Sequence, residues 1–423
     1  MPRTLRGFLL AVVCLLGAVS CTEDLSGGAA CPALCPEDNV EMVDLELFPL
    51  SLDTTIVAFP PLGNEGQLLM ARRGDSLVTA TVVRFDVTQH RVARSTSDTT
   101  TVPVLSLDDA QLSLPLIGSL IVNKPLTVEV YDVDTTASEL DTAAVRVLFR
   151  PDRLVADSVY PAPDTLSGSI EVELPKAFIE PRVLNQQRVR LGVLVRSDSS
   201  LSFTFASSEG GNPPLLTYTA TTELPTTSPL TITANSNPPA SAGTRIPGLE
   251  DYTLVIQGTP APSSAVLAVG GFPASRSFLR FEIPGGIVET TTVVRATLLL
   301  HQIPNATVGS GDSITLVPRM VLANKTVDPG KASLLLAAPG SAGVPPLPSL
   351  PAASGVRTVE LVGLLRQWRL DDTTRATRAL VLQSGGEGID PQQVLFHSNE
   401  ASVDSLRPRL RLTYIPRARF ELP

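Results

Sequence analysis

The chain has 423 residues and a formal net charge of −9, with 43% hydrophobic but only 4% aromatic residues. A chain of this length and hydrophobic content can bury one or more cores, which excludes disorder over its whole length. The negative charge disfavours nucleic acids and anionic membrane surfaces as partners. Runs of Val, Leu, Thr and Ser are interrupted by 37 prolines and 29 glycines, a pattern that favours short β-strands over helices.

The first 20 residues form a predicted signal peptide, because two arginines precede an apolar run that is too short to span a bilayer. The residues "AVSC" at 18–21 resemble the lipobox of bacterial lipoproteins, which implies lipidation of Cys21; the same residues also fit an ordinary signal-peptidase site. The lipobox implies an exported protein of a Gram-negative-type bacterium whose only membrane contact is its lipid. Thr22 after the cysteine favours the outer membrane, on its periplasmic or surface face.

Residues 21–40 are predicted to be a lipidated tether. If Cys21 carries the lipid, Cys31 and Cys35 of "CPALC" remain as one pair able to close a disulfide. A metal pair would lack further cysteine ligands, and a redox motif would need CxxC spacing. Lipidation of Cys21 therefore leaves an even number of cysteines in an oxidising compartment.

The rest of the chain contains an internal sequence repeat. The triplet Arg-Phe-acid occurs at 84–86 and again at 280–282. Further matches follow in the same order: "DTTIV" with "DYTLV" (53–57 and 251–255), "FASSE" with "FHSNE" (205–209 and 396–400), and "LLTYT" with "RLTYI" (215–219 and 411–415). We predict two copies of one domain, at 41–220 and 221–423, joined by an extended linker at 221–229.

The copies are predicted to be β-sandwiches. In "VVRFDV" (82–87), Val83 and Phe85 share one face while Arg84 and Asp86 share the other, which is the alternation of a strand. "FLRFEI" (278–283) has the same register, so alternation predicts that Phe85 and Phe281 both face a core. The predicted fold is all-β, with two tandem antiparallel, jelly-roll-like β-sandwich domains. One exception is "TVELVGLLRQWRL" (358–370), whose apolar residues recur about every three positions and predict a short helix in the second copy.

The second copy resembles the DNRLRE-type domains, β-sandwich modules of bacterial and archaeal surface proteins that are also grouped with carbohydrate-binding modules. The resemblance is carried by "LRF" (279–281), "ATLLLH" (296–301), "VELVGLLRQW" (359–368) and "FHSNEASVDSLRPRLRLTY" (396–414). The first copy resembles a divergent relative that keeps "VRF", "FASSE" and "LTY". The resemblance implies a role in binding polysaccharide.

Catalytic motifs are missing from the sequence: there is no nucleophile elbow, HExxH, phosphate loop or dinucleotide fingerprint. His301, His397 and Glu400 could approach each other in the second copy, but their spacing matches no local metal motif. We therefore predict a non-catalytic protein that requires no cofactor. An accessory or cryptic hydrolase is the weaker alternative.

Calcium is the one ion that the sequence leaves open as a structural cofactor, because modules of this kind often hold it through loop carboxylates. "YDVDTTASELD" (131–141) supplies Asp132 and Asp134, and the first copy also offers Asp53 and Asn64. Solvated loop acids are the competing interpretation.

A sugar site would need exposed aromatic rings, and this chain has few. The candidates are Tyr131, Tyr160 and Tyr252; Tyr131 has outward parity relative to Val128 and Val130. We therefore carry two hypotheses, a polysaccharide-binding module and a structural or adhesive module that binds envelope proteins.

Overall fold

The computed structural model describes twelve stretches of the chain: 42–58, 62–63, 65–86, 88–95, 98–137, 141–223, 230–235, 250–305, 313–322, 326–327, 346–370 and 378–416. The predicted signal peptide and tether, with Cys21, Cys31 and Cys35, lie outside the described residues, as does Asn64. Within these stretches, no helix is both long enough and apolar enough to cross a membrane.

Two large antiparallel sheet systems make up the described fold, which confirms the all-β prediction. The first sandwich has 12 strands: β3 (Gln67–Arg73), β4 (Leu77–Phe85), β5 (Arg91–Ser95), β6 (Asp98–Val122), β7 (Leu126–Asp132), β8 (Leu154–Tyr160), β9 (Asp164–Glu173), β10 (Val189–Arg196), β11 (Leu201–Ala206), β12 (Leu215–Thr222), β13 (Leu230–Asn235) and β14 (Asp251–Gln257). Its main hydrogen-bonded path runs β13-β12-β6-β11-β3-β4-β10-β7-β8.

The second sandwich has 11 strands: β1 (Val43–Leu47), β2 (Pro49–Ala58), β15 (Val266–Gly270), β16 (Ala274–Phe281), β17 (Thr292–Ile303), β18 (Ile314–Leu322), β19 (Leu347–Ser349), β20 (Gly355–Glu360), β21 (Arg378–Ser384), β22 (Gln393–His397) and β23 (Arg409–Ile415). Its path runs β1-β23-β17-β22-β15-β16-β21-β18-β19.

Helices are short and peripheral to these sheets. The described residues contain α1 (Thr142–Arg146), α2 (Lys176–Leu184), α3 (Gly285–Thr290) and α4 (Val362–Leu370), with 3₁₀ turns at Pro151–Arg153 and Asp404–Leu406. The predicted helix at 358–370 is therefore confirmed from residue 362 onward, whereas Val359 lies in β20. α2 occupies the corresponding place in the first sandwich. The sequence did not predict this helix, and it contains Pro181, a residue that disfavours helix interiors.

Each sandwich encloses its own core. Val83 and Phe85 belong to the first core, and Phe281 belongs to the second with Trp368, which is 1% exposed. The inward orientation that alternation predicted for both phenylalanines is confirmed. The repeated triplet therefore marks equivalent strands of two related scaffolds.

The two sandwiches exchange strands. β1 and β2 precede the first sandwich in the chain but pair with β23 and β16 of the second. Conversely, β13 and β14 pair with β12 and β4 of the first. The registers match: Asp53 lies opposite Leu279, Asp251 lies opposite Val83, and both partners directly precede the repeated triplet.

The exchange extends into the cores. Ile232 and Ala234 of β13 are buried in the first core, while Leu45 and Leu47 of β1 pack against the second. The sequence repeat divides the chain between 220 and 221, whereas the hydrogen-bonded sheets divide it before β3 and after β14. The first two strands of each copy, β1 and β2 or β13 and β14, thus complete the sandwich formed mainly by the other copy.

Candidate functional site

The junction where the strands cross carries a set of matched polar contacts. β2 and β14 both contain the motif Asp-x-Thr, at 53–55 and 251–253. The Asp251 Oδ2 atom accepts a hydrogen bond from the backbone N–H of Ser208 at 3.0 Å, and the Asp53 Oδ2 atom accepts one from Asn399 N–H. Ser208 and Asn399 hold the same place in "FASSE" and "FHSNE". Each aspartate therefore fastens an exchanged strand to the sandwich that receives it.

The threonines of the motif make a second matched contact. Leu69 N–H donates to Thr253 Oγ1 at 2.9 Å, and Ala268 N–H donates to Thr55 Oγ1 at 3.1 Å. These donors lie on β3 and β15, the first strands of equivalent hairpins. The hydroxyls satisfy buried backbone donors whose loss of a partner would be costly. The aspartate and the threonine of each motif thus make the same two hydrogen bonds in both sandwiches.

Asp53 has a pKa well above the ordinary value of an aspartate. Burial, together with the neighbouring negative charge of Glu400, raises the pKa of Asp53 to about 6, although the Asn399 N–H bond opposes the rise. The Ser398 hydroxyl donates to Glu400 Oε2, so this carboxylate is also held in place. The exchanged strand β2 therefore carries a carboxylate that takes up a proton in mildly acidic solution.

A buried charge cluster lies behind the Asp251 fastening. Arg84 and Arg190 are directly opposite each other on β4 and β10, and each is 1% exposed. Arg84 Nε lies 2.9 Å from Asp86 Oδ1, and its backbone N–H donates to the Glu250 carbonyl at 2.7 Å. Arg190 Nη2 donates to the Tyr252 hydroxyl at 2.8 Å. Arg84 and Asp86 share one face of β4, as alternation predicted, but that face is buried beneath the exchanged strand.

A cleft of about 870 Å³ opens beside β14 at the same junction. Its walls come from β14, from Val57 of β2, from Ala143 and Arg146 of α1, and from Pro273 after β15. The walls are mostly apolar, and Arg146 is the one charged side chain among the described lining residues. A cleft of this volume is in the usual range for small-molecule sites.

Tyr131 does not present an open ring. It lies opposite Gly192 on β10, and a Cβ at Gly192 would fall 2.4 Å from the Phe149 ring, so the missing side chain makes room for Phe149. The Tyr131 and Phe149 ring centroids are 5.4 Å apart, and Tyr131 is 3% exposed. Burial and the hydrogen bond to Glu129 raise the pKa of the Tyr131 hydroxyl. The outward parity is as expected, but the residues that follow α1 cover that face.

The other two candidate tyrosines also use their hydroxyls internally. Tyr252 is fully buried against Arg190. Tyr160 is partly exposed, and its hydroxyl donates to the Glu171 carbonyl at 2.7 Å while accepting from Glu171 N–H at 3.1 Å. Burial raises the pKa of Tyr160. Of the three rings that the sequence offered to a sugar, only Tyr160 reaches solvent.

Arginines surround the predicted calcium ligands of the first sandwich. Asp132 Oδ2 lies 2.9 Å from Arg182 Nη2 and 3.3 Å from Arg153 Nη1, and Asp134 Oδ1 lies 2.7 Å from Arg188 Nε. α2 supplies Arg182, so the unpredicted helix decides this arrangement. In the described parts of the chain, no group of three or more His, Cys, Asp or Glu side chains could hold a metal ion. The calcium site stays a prediction.

His301 and His397 lie near each other on β17 and β22. Burial, Arg409 and His397 lower the pKa of His301. Neither histidine shares a hydrogen bond with Glu400 among the described contacts; Glu400 bonds to Ser398 instead. The three residues considered for a metal or catalytic site are therefore not joined by hydrogen bonds into one site among the described contacts.

Compared with known proteins, the chain matches no family model and no curated protein. The resemblance to DNRLRE-type domains thus remains a prediction from the quoted motifs.

Proposed function

We propose that the protein is an exported, lipid-anchored module of the cell envelope that binds other envelope proteins and has no catalytic role. The observation that carries this proposal is the reciprocal strand exchange. Through β2 and β14, the two sandwiches are fastened to each other by backbone ladders and by the matched Asp-x-Thr contacts. Such a body suits a load-bearing spacer better than a pair of loosely linked recognition domains.

The position of the proposed tether supports this role. β1 begins at Val43, shortly after the predicted tether at 21–40, and pairs antiparallel with β23, with Val43 opposite Tyr414. Hydrogen bonds of an antiparallel pair run perpendicular to the strands, so a pull along β1 loads them together rather than one after another. A force on the lipid-bearing end would therefore pass straight into the second sandwich.

The edge strand β13 offers a surface for a protein partner. Within the described residues it pairs with β12 alone, and its exposed side chains Leu230, Thr231 and Thr233 are uncharged. The equivalent strand β1 instead exposes Asp44 and Glu46. Charged edges discourage strand addition, and neutral edges allow it. The proposal therefore assigns the binding of an extended polypeptide to β13.

Crosslinking in intact cells tests the proposal. Wild-type protein should give discrete crosslinked adducts with envelope proteins, and Thr231→Lys on β13 should remove them, whereas Ser119→Lys at an exposed position of β6 should not. Cys21→Ser should abolish incorporation of labelled fatty acid and release the protein from the membrane fraction. Absence of adducts, combined with saturable retention on surface polysaccharide in the presence of calcium, would instead favour the glycan-binding role that the sequence resemblance implies.

A further inference from the structure

The cleft beside β14 is built from parts that meet only because the strands are exchanged. Val57 reaches it from the amino-terminal strand β2, and Val255 reaches it from β14. These two valines hold the same place in "DTTIV" and "DYTLV". The cleft is thus a product of the closed junction between the two sandwiches.

Two threonine hydroxyls of the cleft walls already accept hydrogen bonds from the protein's own backbone. The Thr253 hydroxyl accepts from Leu69 N–H at 2.9 Å, and the Thr259 hydroxyl accepts from Phe272 N–H at 3.1 Å. Most of the remaining wall surface is apolar and includes Leu254, Ile256 and Pro273. Such a wall favours a hydrocarbon over a sugar or a peptide backbone, because it leaves a ligand's own polar groups without partners.

Arg146 is the one charged side chain among the lining residues that the structure describes. It lies in the last turn of α1, whose first turn is fixed by Asp141, which accepts from Ala144 N–H at 3.0 Å. Val145 anchors the same helix in the sandwich and is fully buried, while Arg146 is exposed and has no ion-pair partner among the described residues. The geometry therefore presents a guanidinium, a bidentate donor for carboxylates, at an apolar cleft.

We propose that this cleft binds a fatty carboxylate, with the hydrocarbon chain against β14 and Pro273 and the carboxylate held by Arg146. The assignment rests on charge complementarity: one cation, no lining acid among the described residues, and an apolar volume of about 870 Å³. This would give the protein a lipid-binding activity that is independent of its strand-edge docking and of its own lipid anchor.

Binding can be measured on the full-length purified protein with a fluorescent polyene fatty acid and its displacement by oleate. We expect saturable binding with one site per chain. Arg146→Gln should weaken oleate binding about tenfold, since it removes one charge-assisted contact. Arg150→Gln, four residues away and outside the lining, should leave the affinity unchanged.

Two further arms separate the hydrocarbon from the head group. Ala143→Phe adds bulk at an exposed lining position, so it should abolish binding without disturbing a core. Oleyl alcohol should bind more weakly than oleate, and Arg146→Gln should not alter its affinity. The unfolding transition of each variant, followed by far-UV circular dichroism, which reports on both sandwiches, verifies folding.

Failure of oleate to saturate the wild-type protein would overturn the proposal. So would unchanged binding in Ala143→Phe, which would place the ligand elsewhere. Equal affinities for oleate and oleyl alcohol, insensitive to Arg146→Gln, would mean a neutral occupant and would overturn the carboxylate assignment.

Discussion

Asp53 and Asp251 occupy the same position on two exchanged strands and accept hydrogen bonds from equivalent backbone N–H groups, those of Asn399 and Ser208. Each aspartate closes the sandwich built mainly by the other half of the chain. They differ in their surroundings, because Asp53 adjoins Glu400 while Asp251 is 1% exposed beside the buried arginine cluster. This relationship explains why the stability of one half should depend on the other.

Replacing Asp53 by Asn should change the pH dependence of stability. The folded pKa, about 6, is above the ordinary value of 3.8, so the folded state holds the proton more tightly than the unfolded state. The charged side chain therefore costs stability above pH 6, and this cost disappears as the pH falls from 6 to 4. Asp53→Asn should reduce that pH dependence and be more stable than wild type at pH 7.5, by at most about 2–3 kcal/mol.

Chemical unfolding at several pH values, followed through Trp368, measures this difference. Asp44→Asn, an exposed position on the neighbouring strand β1, is the matched control and should retain the wild-type pH slope. An unchanged slope in Asp53→Asn between pH 4 and 7 would show that this carboxylate does not titrate in the closure.

Truncating a core residue of β14, a strand of the first sandwich, should also weaken the second sandwich, which contains Trp368. Ile56 on β2 and Leu254 on β14 hold equivalent places and are 6% and 2% exposed. Each change to Ala should cost about 2–4 kcal/mol. Because the strands are exchanged, both variants should lower the midpoint of the Trp368 fluorescence transition.

Comparison of two signals decides whether the sandwiches unfold together. Far-UV circular dichroism reports on both sandwiches, and Trp368, the single tryptophan, reports on the second. If Leu254→Ala shifts the dichroism transition but leaves the fluorescence transition in place, the two sandwiches unfold independently and the exchange does not couple them.

Removing the Arg84 guanidinium should be far more harmful than removing its repeat partner. Arg84→Met removes the ion pair with Asp86 from a nearly fully buried position and should cost about 3–5 kcal/mol. Arg280→Met, at the same place in the second triplet, alters a partly exposed side chain and should cost about 1 kcal/mol or less. Denaturant midpoints of the two variants test this contrast, and equal losses would contradict it.

The threonine contacts predict a smaller, symmetric effect. Thr253→Val keeps the shape of the side chain but leaves the buried Leu69 N–H without its acceptor, at a cost of about 1–3 kcal/mol. Thr55→Val should do the same to Ala268 N–H. Thr217→Val, whose hydroxyl makes an exposed contact with Thr233, is the control for the substitution itself. A change below 0.5 kcal/mol in Thr253→Val would mean that the contact contributes little.

Local patterns in the sequence already contained much of the fold. Alternation placed Phe85 and Phe281 in two cores, and the three-residue recurrence of apolar residues found α4 around Trp368. Both the repeated Asp-x-Thr motif and the repeated "FASSE" and "FHSNE" segments were visible as matches. The contact between the aspartates and these segments was not visible, because a sequence match does not say which copy a strand will pair with.

The sequence by itself determined the strand class and the side of each strand that faces a core, since these follow from period-two alternation and local turn chemistry. It also predicted the duplication, from the ordered matches between the two halves. Only the tertiary structure decided that β2 and β14 cross between the copies, because either sandwich offers an equivalent edge to either strand. Tertiary packing also buries the Tyr131 ring, because the space beside Gly192 admits Phe149, which covers it. Long-range packing is set by which surfaces meet, and that information is spread across both halves of the chain.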